Sequence, residues 1–444
     1  MTRLLLISII ALIVSITFAI FLFAVLRRYF RKKAFSRLDK SRERYGPLVD
    51  SVIEDPATRS IEELRAEDGS PDWTAVEEAL LKAMEKARAQ RYEKIYGLFE
   101  ALGYVDGYIE RLKNGKDWER AVAAERLGAI RCGRAVPHLI EALKDSFRDV
   151  HNMAVYALGL IGDDSALPAI VESFKHGIDD FEDVSLRIVK SALLSFGERS
   201  IKVLRPELKN PRWRVRAAVV DVLGELKDLA VVEDLMLALK DPEPDIRAKA
   251  AKGLGTLAHP AAVKDISALV DDPYWVVRLH SVRALGLIGA PESVDVIKQK
   301  LLDSNWQVRR AAAEALGRME EDALPVLADV LMNNHDRYAR EQVVEELERI
   351  GMVKRLIGRL VEKRDEVRED AEQTLCALII NGALSPIINA MESEGPEIRR
   401  RIIEVLKRAG GERAVDIVRD ALEKDPDPAV KQEAATALEA LQPR

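Results

Sequence analysis

The sequence predicts an all-α protein, an α-solenoid of tandem helical hairpins, and three residue rulers running in register predict it. Arg216, Arg247, Arg278, Arg309 and Arg340 stand 31 residues apart. The frame extends to Arg120, His151 and Val189 upstream and to Arg368, Arg399 and Lys431 downstream, about eleven units in all. Six residues before each ruler position stands Asp or Asn: Asn114, Asp145, Asp183, Asn210, Asp241, Asp272, Asp303, Asn334 and Asp425, with Glu362 and Ser393 as exceptions. Eight residues after it, in the first seven units, stands Gly: 128, 159, 197, 224, 255, 286 and 317. A period near 31 with two apolar-periodic runs is that of a helix–turn–helix repeat, shorter than the ~34 of tetratricopeptide or the ~40 of armadillo units.

Each unit follows one grammar, plainest in the stretch from Asp241 to Asp272. Asp-Pro reads as a helix start, an N-cap followed by the residue whose missing N–H costs nothing in the first turn. An apolar residue and the ruler Arg follow, then small residues (Ala250, Ser281), then Leu-Gly, a turn and a shorter amphipathic run. The segments VRRAAAEALGRM (Val308 to Met319) and RAVPHLIEALKD (Arg134 to Asp145) resemble short HEAT-like repeats of the phycobilisome-lyase type. The resemblance covers roughly 114–441 and implies stacked hairpins wound as a right-handed superhelix. It says little about activity, because such repeats serve unrelated tasks.

Taken in order, the chain opens on an uncharged run, Leu4 to Leu26, followed by Arg27, Arg28, Arg31, Lys32 and Lys33. At ~1.5 Å per residue that run matches a bilayer core, so a transmembrane helix is expected over 4–26. The excess of basic residues on its C-terminal side places the N-terminus outside and the rest in the cytoplasm, as a single-pass inner- or plasma-membrane protein. Residues 27–72 read as a basic juxtamembrane segment and a linker. The linker is punctuated by Gly46-Pro47, Asp55-Pro56 and Asp68-Gly69-Ser70-Pro71, with a short helix over 58–66. Residues 73–113 read as a helical cap, with helix running unbroken from Pro71 to Gly103 and a shorter run from Tyr104 to Lys113. Residues 114–444 are the repeats. The last unit has only its first helix, which is expected to serve as a cap.

Charge and motif content narrow the function classes. Residues 1–44 carry +8 against −6 for the whole chain, so 45–444 carry −14, which opposes phosphate binding and argues against a nucleic-acid partner. The histidines at 138, 151, 176, 259, 280 and 335 are never followed by Glu and never pair at helical spacing. The dipeptides of the HEAT-like deoxyhypusine hydroxylases and the zincin motif are therefore absent, and no metal, cofactor or catalytic residue is expected. Cys132 and Cys376 lie about eight repeats apart, too far to bridge.

Three sets of residues invite interpretation. The Arg and Asp rulers, Arg216, Arg247, Arg278 and Arg309 with Asp241, Asp272 and Asp303, read as a structural ladder in which each Arg reaches a cap residue or turn carbonyl of a neighbouring unit. Trp213, Trp275 and Trp306 each precede a ruler Arg by three residues. They are either a stripe for a partner or, more commonly, lids over the seam to the next unit. The spacing swells after the second unit around HGIDDFED, where Asp179, Asp180 and Glu182 form a candidate contact loop. The expected function is a membrane-anchored, non-catalytic scaffold for a membrane-associated protein partner. The alternatives are a bilin lyase or isomerase, implied only by the resemblance, and a self-associating spacer.

Overall fold

The computed structural model describes residues 2–54, 60–88, 90–179, 185–319, 323–335 and 337–441. These are helices joined by turns, with no strand among the described residues. The chain divides into two compact units, 1–196 and 197–444.

The first unit holds α1 (Thr2–Glu54), α2 (Pro71–Glu85), α3 (Gln90–Ala101), α4 (Tyr104–Asn114), α5 (Asp117–Ala129), α6 (Val136–Ala142), α7 (Arg148–Ile161), α8 (Leu167–Asp179) and α9 (Leu186–Ser195). The second holds α10 (Glu198–Leu204), α11 (Trp213–Glu225), α12 (Val232–Ala238), α13 (Pro244–Leu257), α14 (Val263–Ser267), α15 (Trp275–Ile288), α16 (Val294–Gln299), α17 (Trp306–Met319), α18 (Leu324–Asn333), α19 (Arg337–Arg349) and α20 (Met352–Arg359). It ends with α21 (Asp365–Ile380), α22 (Ser385–Ser393), α23 (Pro396–Ala409), α24 (Glu412–Lys424) and α25 (Pro428–Leu441).

The N-terminal reading needs correction. Among the described residues no helix is long and apolar enough to cross a membrane. This overturns the span over 4–26 and the single-pass placement with the N-terminus outside, and with the tether gone nothing shows that the expected protein partner is membrane-associated. Within α1 the described apolar side chains run straight into Arg27 and Arg28. The side chains of 4–15 and of Ala19 lie outside the described residues.

The same helix crosses the expected linker. Pro47 lies inside α1, where it removes a backbone hydrogen bond at a cost of about 3 kcal/mol. Val49, Val52 and Ile53 are buried beside it, at about 1.5–3 kcal/mol each, so packing outweighs the proline. Ser41 Oγ donates to Asp72 Oδ1 (2.5 Å) and Arg42 grips Glu78 through two bonds of 2.7 and 2.8 Å, fixing α1 on α2. The short helix expected over 58–66 is a 3-10 turn, Ile61–Leu64, capped by Ser60; residues 55–59 lie outside the described residues. The helix expected from Pro71 to Gly103 breaks after Glu85. The fold-back brings Trp73 to the Tyr104 ring, tilted at 38° with centroids 3.9 Å apart, and Phe99 meets the same ring edge-on at 5.7 Å.

Within each unit the first helices of successive hairpins stack. The rows are α5 on α7 and α7 on α9 in the first unit, and α11, α13, α15 and α17 in turn in the second. The Gly ruler marks where they cross. A Cβ on Gly255 would lie 2.6 Å from Ala284 Cα, and one on Gly286 would lie 2.4 Å from Ala315 Cβ. No side chain larger than hydrogen fits at those points without moving backbone. The stack changes after α17. There α21 packs on α18, tied by Thr374 Oγ1 to the Leu324 carbonyl (3.2 Å) and by Asn381 Nδ2 to the Leu331 carbonyl (2.9 Å).

Candidate functional site: a guanidinium ladder and an exposed tryptophan row

The ruler positions form two adjacent structures, one inside the turns and one on the surface. The inner one joins hairpin to hairpin. Arg216 Nε and Nη2 donate to the two carboxylate oxygens of Asp241 at 2.9 and 3.0 Å, and Arg278 does the same to Asp303 at 2.7 and 2.8 Å. Arg247 pairs with Asp272, Arg120 with Asp145 and Arg399 with Asp425 in the same forked geometry. In each case Nη1 points back to a backbone carbonyl of its own unit's turn, as from Arg278 to Asp272 O at 2.9 Å. A planar fork fits this task because one guanidinium can serve a carboxylate and a carbonyl at once.

The acid ends of the ladder do more than cap. Asp241, Asp272 and Asp303 accept from the backbone N–H two residues on (3.0, 2.9 and 2.9 Å), which closes an Asx turn. The helices start later than the sequence grammar suggests, with Glu243 and Tyr274 at the N-cap positions. Each Asp is needed at the turn, where the preceding unit's Arg can reach it, and the chain then spends two residues before helical geometry begins. Burial alone would raise the carboxyls of Asp145, Asp241, Asp303 and Asp425. The Arg fork and the turn N–H outweigh it and hold all four below the usual carboxylate range.

Arg309 donates Nη1 to the carbonyls of Asp303 and Ser304, at 2.8 and 3.3 Å. One unit on, the pattern changes. Arg340 Nε donates to Asn381 Oδ1 at 2.8 Å, and the acid position of the following unit is Glu362.

The outer structure is the tryptophan row. Trp213, Trp275 and Trp306 are the first residues of α11, α15 and α17. They are 40%, 39% and 57% exposed, so each ring keeps part of its surface in solvent. Arg214 stands over the Trp213 ring, its Cζ 5.6 Å from the centroid. Trp306 borders a groove of about 250 Å³ with Leu301, Ala313 and Val343. On the groove's polar side Arg310 and Arg349 both donate to Glu314 Oε1. Tyr274, one residue before Trp275, is 54% exposed and escaped the sequence reading. Its place four before a ruler Arg was the available signal. In the first unit, Trp118 and Phe147 are exposed at nearly equivalent points.

The acidic loop cannot be placed: Asp180 and Glu182, together with the side chain of Asp179, lie outside the described residues. Among the described residues no cluster of His, Cys, Asp or Glu is set to hold a metal.

Comparison with protein families matches HEAT repeats over residues 105–188, 201–278, 266–348, 297–376 and 353–439. The chain belongs to the HEAT-repeat family. The match is to HEAT repeats at large, and it lends no support to the phycobilisome-lyase type. No curated protein sequence matches the chain. Among solved structures, an engineered protein is 18% identical with a TM-score of 0.35, the alignment covering 76% of this chain and 98% of that one. The karyopherin Kap121p bound to the extreme C-terminus of the phosphatase Cdc14p is 14% identical with a TM-score of 0.44, covering 89% and 52%. Kap121p bound to the SUMO protease Ulp1p is 15% identical with a TM-score of 0.42, covering 83% and 49%. The HEAT chain thus spans about half the length of that karyopherin.

Proposed function

We propose that this HEAT-repeat chain is a non-catalytic scaffold that binds a protein partner along the row containing Trp213, Trp275 and Trp306. The observation that carries this reading is their exposure, 39–57%, at one repeated register position. A large aromatic ring left in solvent gains most by burial against a partner, and Trp and Arg are the side chains that dominate interface energies. Arg214 beside Trp213 and the Arg310–Glu314–Arg349 chain beside Trp306 supply polar groups around the aromatic centre. The non-catalytic part is supported by the state of the ladder carboxylates. Each is forked by Arg and bonded to a turn N–H, so its lone pairs are committed to holding hairpins together and are poorly suited to proton transfer.

The test uses the full chain as bait in chemically cross-linked affinity purification, beside a Trp213→Ser/Trp275→Ser/Trp306→Ser variant. A partner recovered with the wild type should fall at least tenfold with the variant, since losing one interface Trp costs about 2 kcal/mol or more. Unfolding of the variant should stay within about 6 °C of wild type, because three surface substitutions at up to about 0.5 kcal/mol each shift the midpoint by about 2–4 °C per kcal/mol. Equal recovery of the same partner by both baits refutes the reading.

A further inference from the structure

A second surface, independent of the tryptophan row, lies between successive second helices near the end of the chain. α22 and α24 flank a groove of about 630 Å³. Its apolar lining is Ile388, Met391 and Ile417, and Ile388 is 43% exposed. Its acids are Glu392, Asp416 and Asp420, all exposed. The base of the groove is closed by the Arg399–Asp425 fork, a neutral pair whose side chains are only 10% and 4% exposed. Lys424, paired with Asp420, is the one other cation in the lining. The groove therefore couples an apolar floor to a rim with a net negative charge.

We propose that this groove docks an amphipathic helix of a protein partner, one carrying an apolar stripe flanked by lysine or arginine. Two side-by-side helices form a trough into which the i, i+3, i+4, i+7 ridge of a third helix fits. Apolar side chains on that ridge would cover Ile388, Met391 and Ile417. Basic residues on either side would meet Glu392, which has no ion-pair partner among the described residues, and Asp416 and Asp420, whose own partners are surface side chains on the same helix. An acidic helix would meet like charge along the rim. An uncharged apolar one would bury the floor but leave the rim acids without counter-charge.

Fluorescence anisotropy with the full chain tests this. The probe is a fluorescein-labelled peptide of about fourteen residues, leucine at the helical-stripe positions and lysine elsewhere; its control replaces every lysine with glutamate. The lysine peptide should bind and the glutamate peptide should not. Ile417→Ser should weaken binding at least tenfold. Asp416→Lys/Asp420→Lys should do the same by charge alone, and since both positions are exposed this variant folds even if the first does not. A remote swap, Glu141→Lys/Asp149→Lys in the first unit, should change binding less than twofold, and so should the tryptophan triple variant, which separates this groove from the row above. Equal binding of the two peptides overturns the proposal, as does indifference to both groove variants or an equal loss from the remote swap. Concentration-dependent self-association that Ile417→Ser abolishes, without peptide binding, also overturns it by making a second copy the occupant.

Discussion

Removing Arg278 tests whether the ladder holds the hairpins together. In the wild type the guanidinium makes two bonds to Asp303 (2.7 and 2.8 Å) and one to the Asp272 carbonyl (2.9 Å). The two side chains are 13% and 5% exposed, so solvent does little to screen them. Arg278→Ala strands the Asp303 carboxylate with its turn N–H as the main remaining donor. Leaving one partner of a buried ion pair uncompensated costs about 3–5 kcal/mol. At about 2–4 °C per kcal/mol for a unit of this size, the midpoint should fall by roughly 6–20 °C. The double variant Arg278→Ala/Asp303→Ala removes the stranded charge, so its loss should be well short of the sum of the single losses, with a coupling of about 2 kcal/mol or more. Differential scanning calorimetry and urea unfolding followed by circular dichroism supply the cycle. Single losses below 0.5 kcal/mol, or strictly additive ones, would refute the reasoning.

Four further outcomes follow from the same structure. Gly255→Ala forces a Cβ to 2.6 Å from Ala284 Cα and should cost about 1–3 kcal/mol. Gly358→Ala, in a helix with nothing within 4 Å, should stabilise by about 0.5–1 kcal/mol, both read from urea midpoints. Asp145, Asp241, Asp303 and Asp425 have folded-state pKa values below their unfolded values. Their contribution is thus present above about pH 4 and lost as pH falls through the folded values, which urea titrations from neutral to acid pH should show as a declining midpoint below about pH 4. Burial pushes the Cys376 thiol up, so labelling of the native chain by a thiol-specific disulfide reagent at neutral pH should be slower than that of free cysteine and should speed up on unfolding.

Much of the repeat was legible because its chemistry is local and periodic. Arg216, Arg247 and Arg278 with Asp241, Asp272 and Asp303 occupy fixed offsets, and a fixed offset in a stack is a fixed place in space. The expected reach to a neighbouring unit's cap residue left its direction open, and the carbonyl that Nη1 meets belongs to the Arg's own turn and not to a neighbour's. The tryptophan row was visible as a pattern, but its exposure was not, since the same spacing suits a lid or a stripe. The N-terminal reading went wrong at Gly46-Pro47, read as a break that the burial of Val49, Val52 and Ile53 overrides.

By itself the sequence determined the class and the period of this protein: helical hairpins, their capping turns and the side chains that link one to the next. Those depend on residues a few positions apart, or one repeat apart, and such separations survive in a linear string. Only the tertiary structure decided where α21 packs, why Gly255 and Gly286 carry no side chain, and which acids and apolar groups face each other across the groove of α22 and α24. Each of those depends on distances between atoms far apart in the chain, set by how the helices pack and recorded in no spacing.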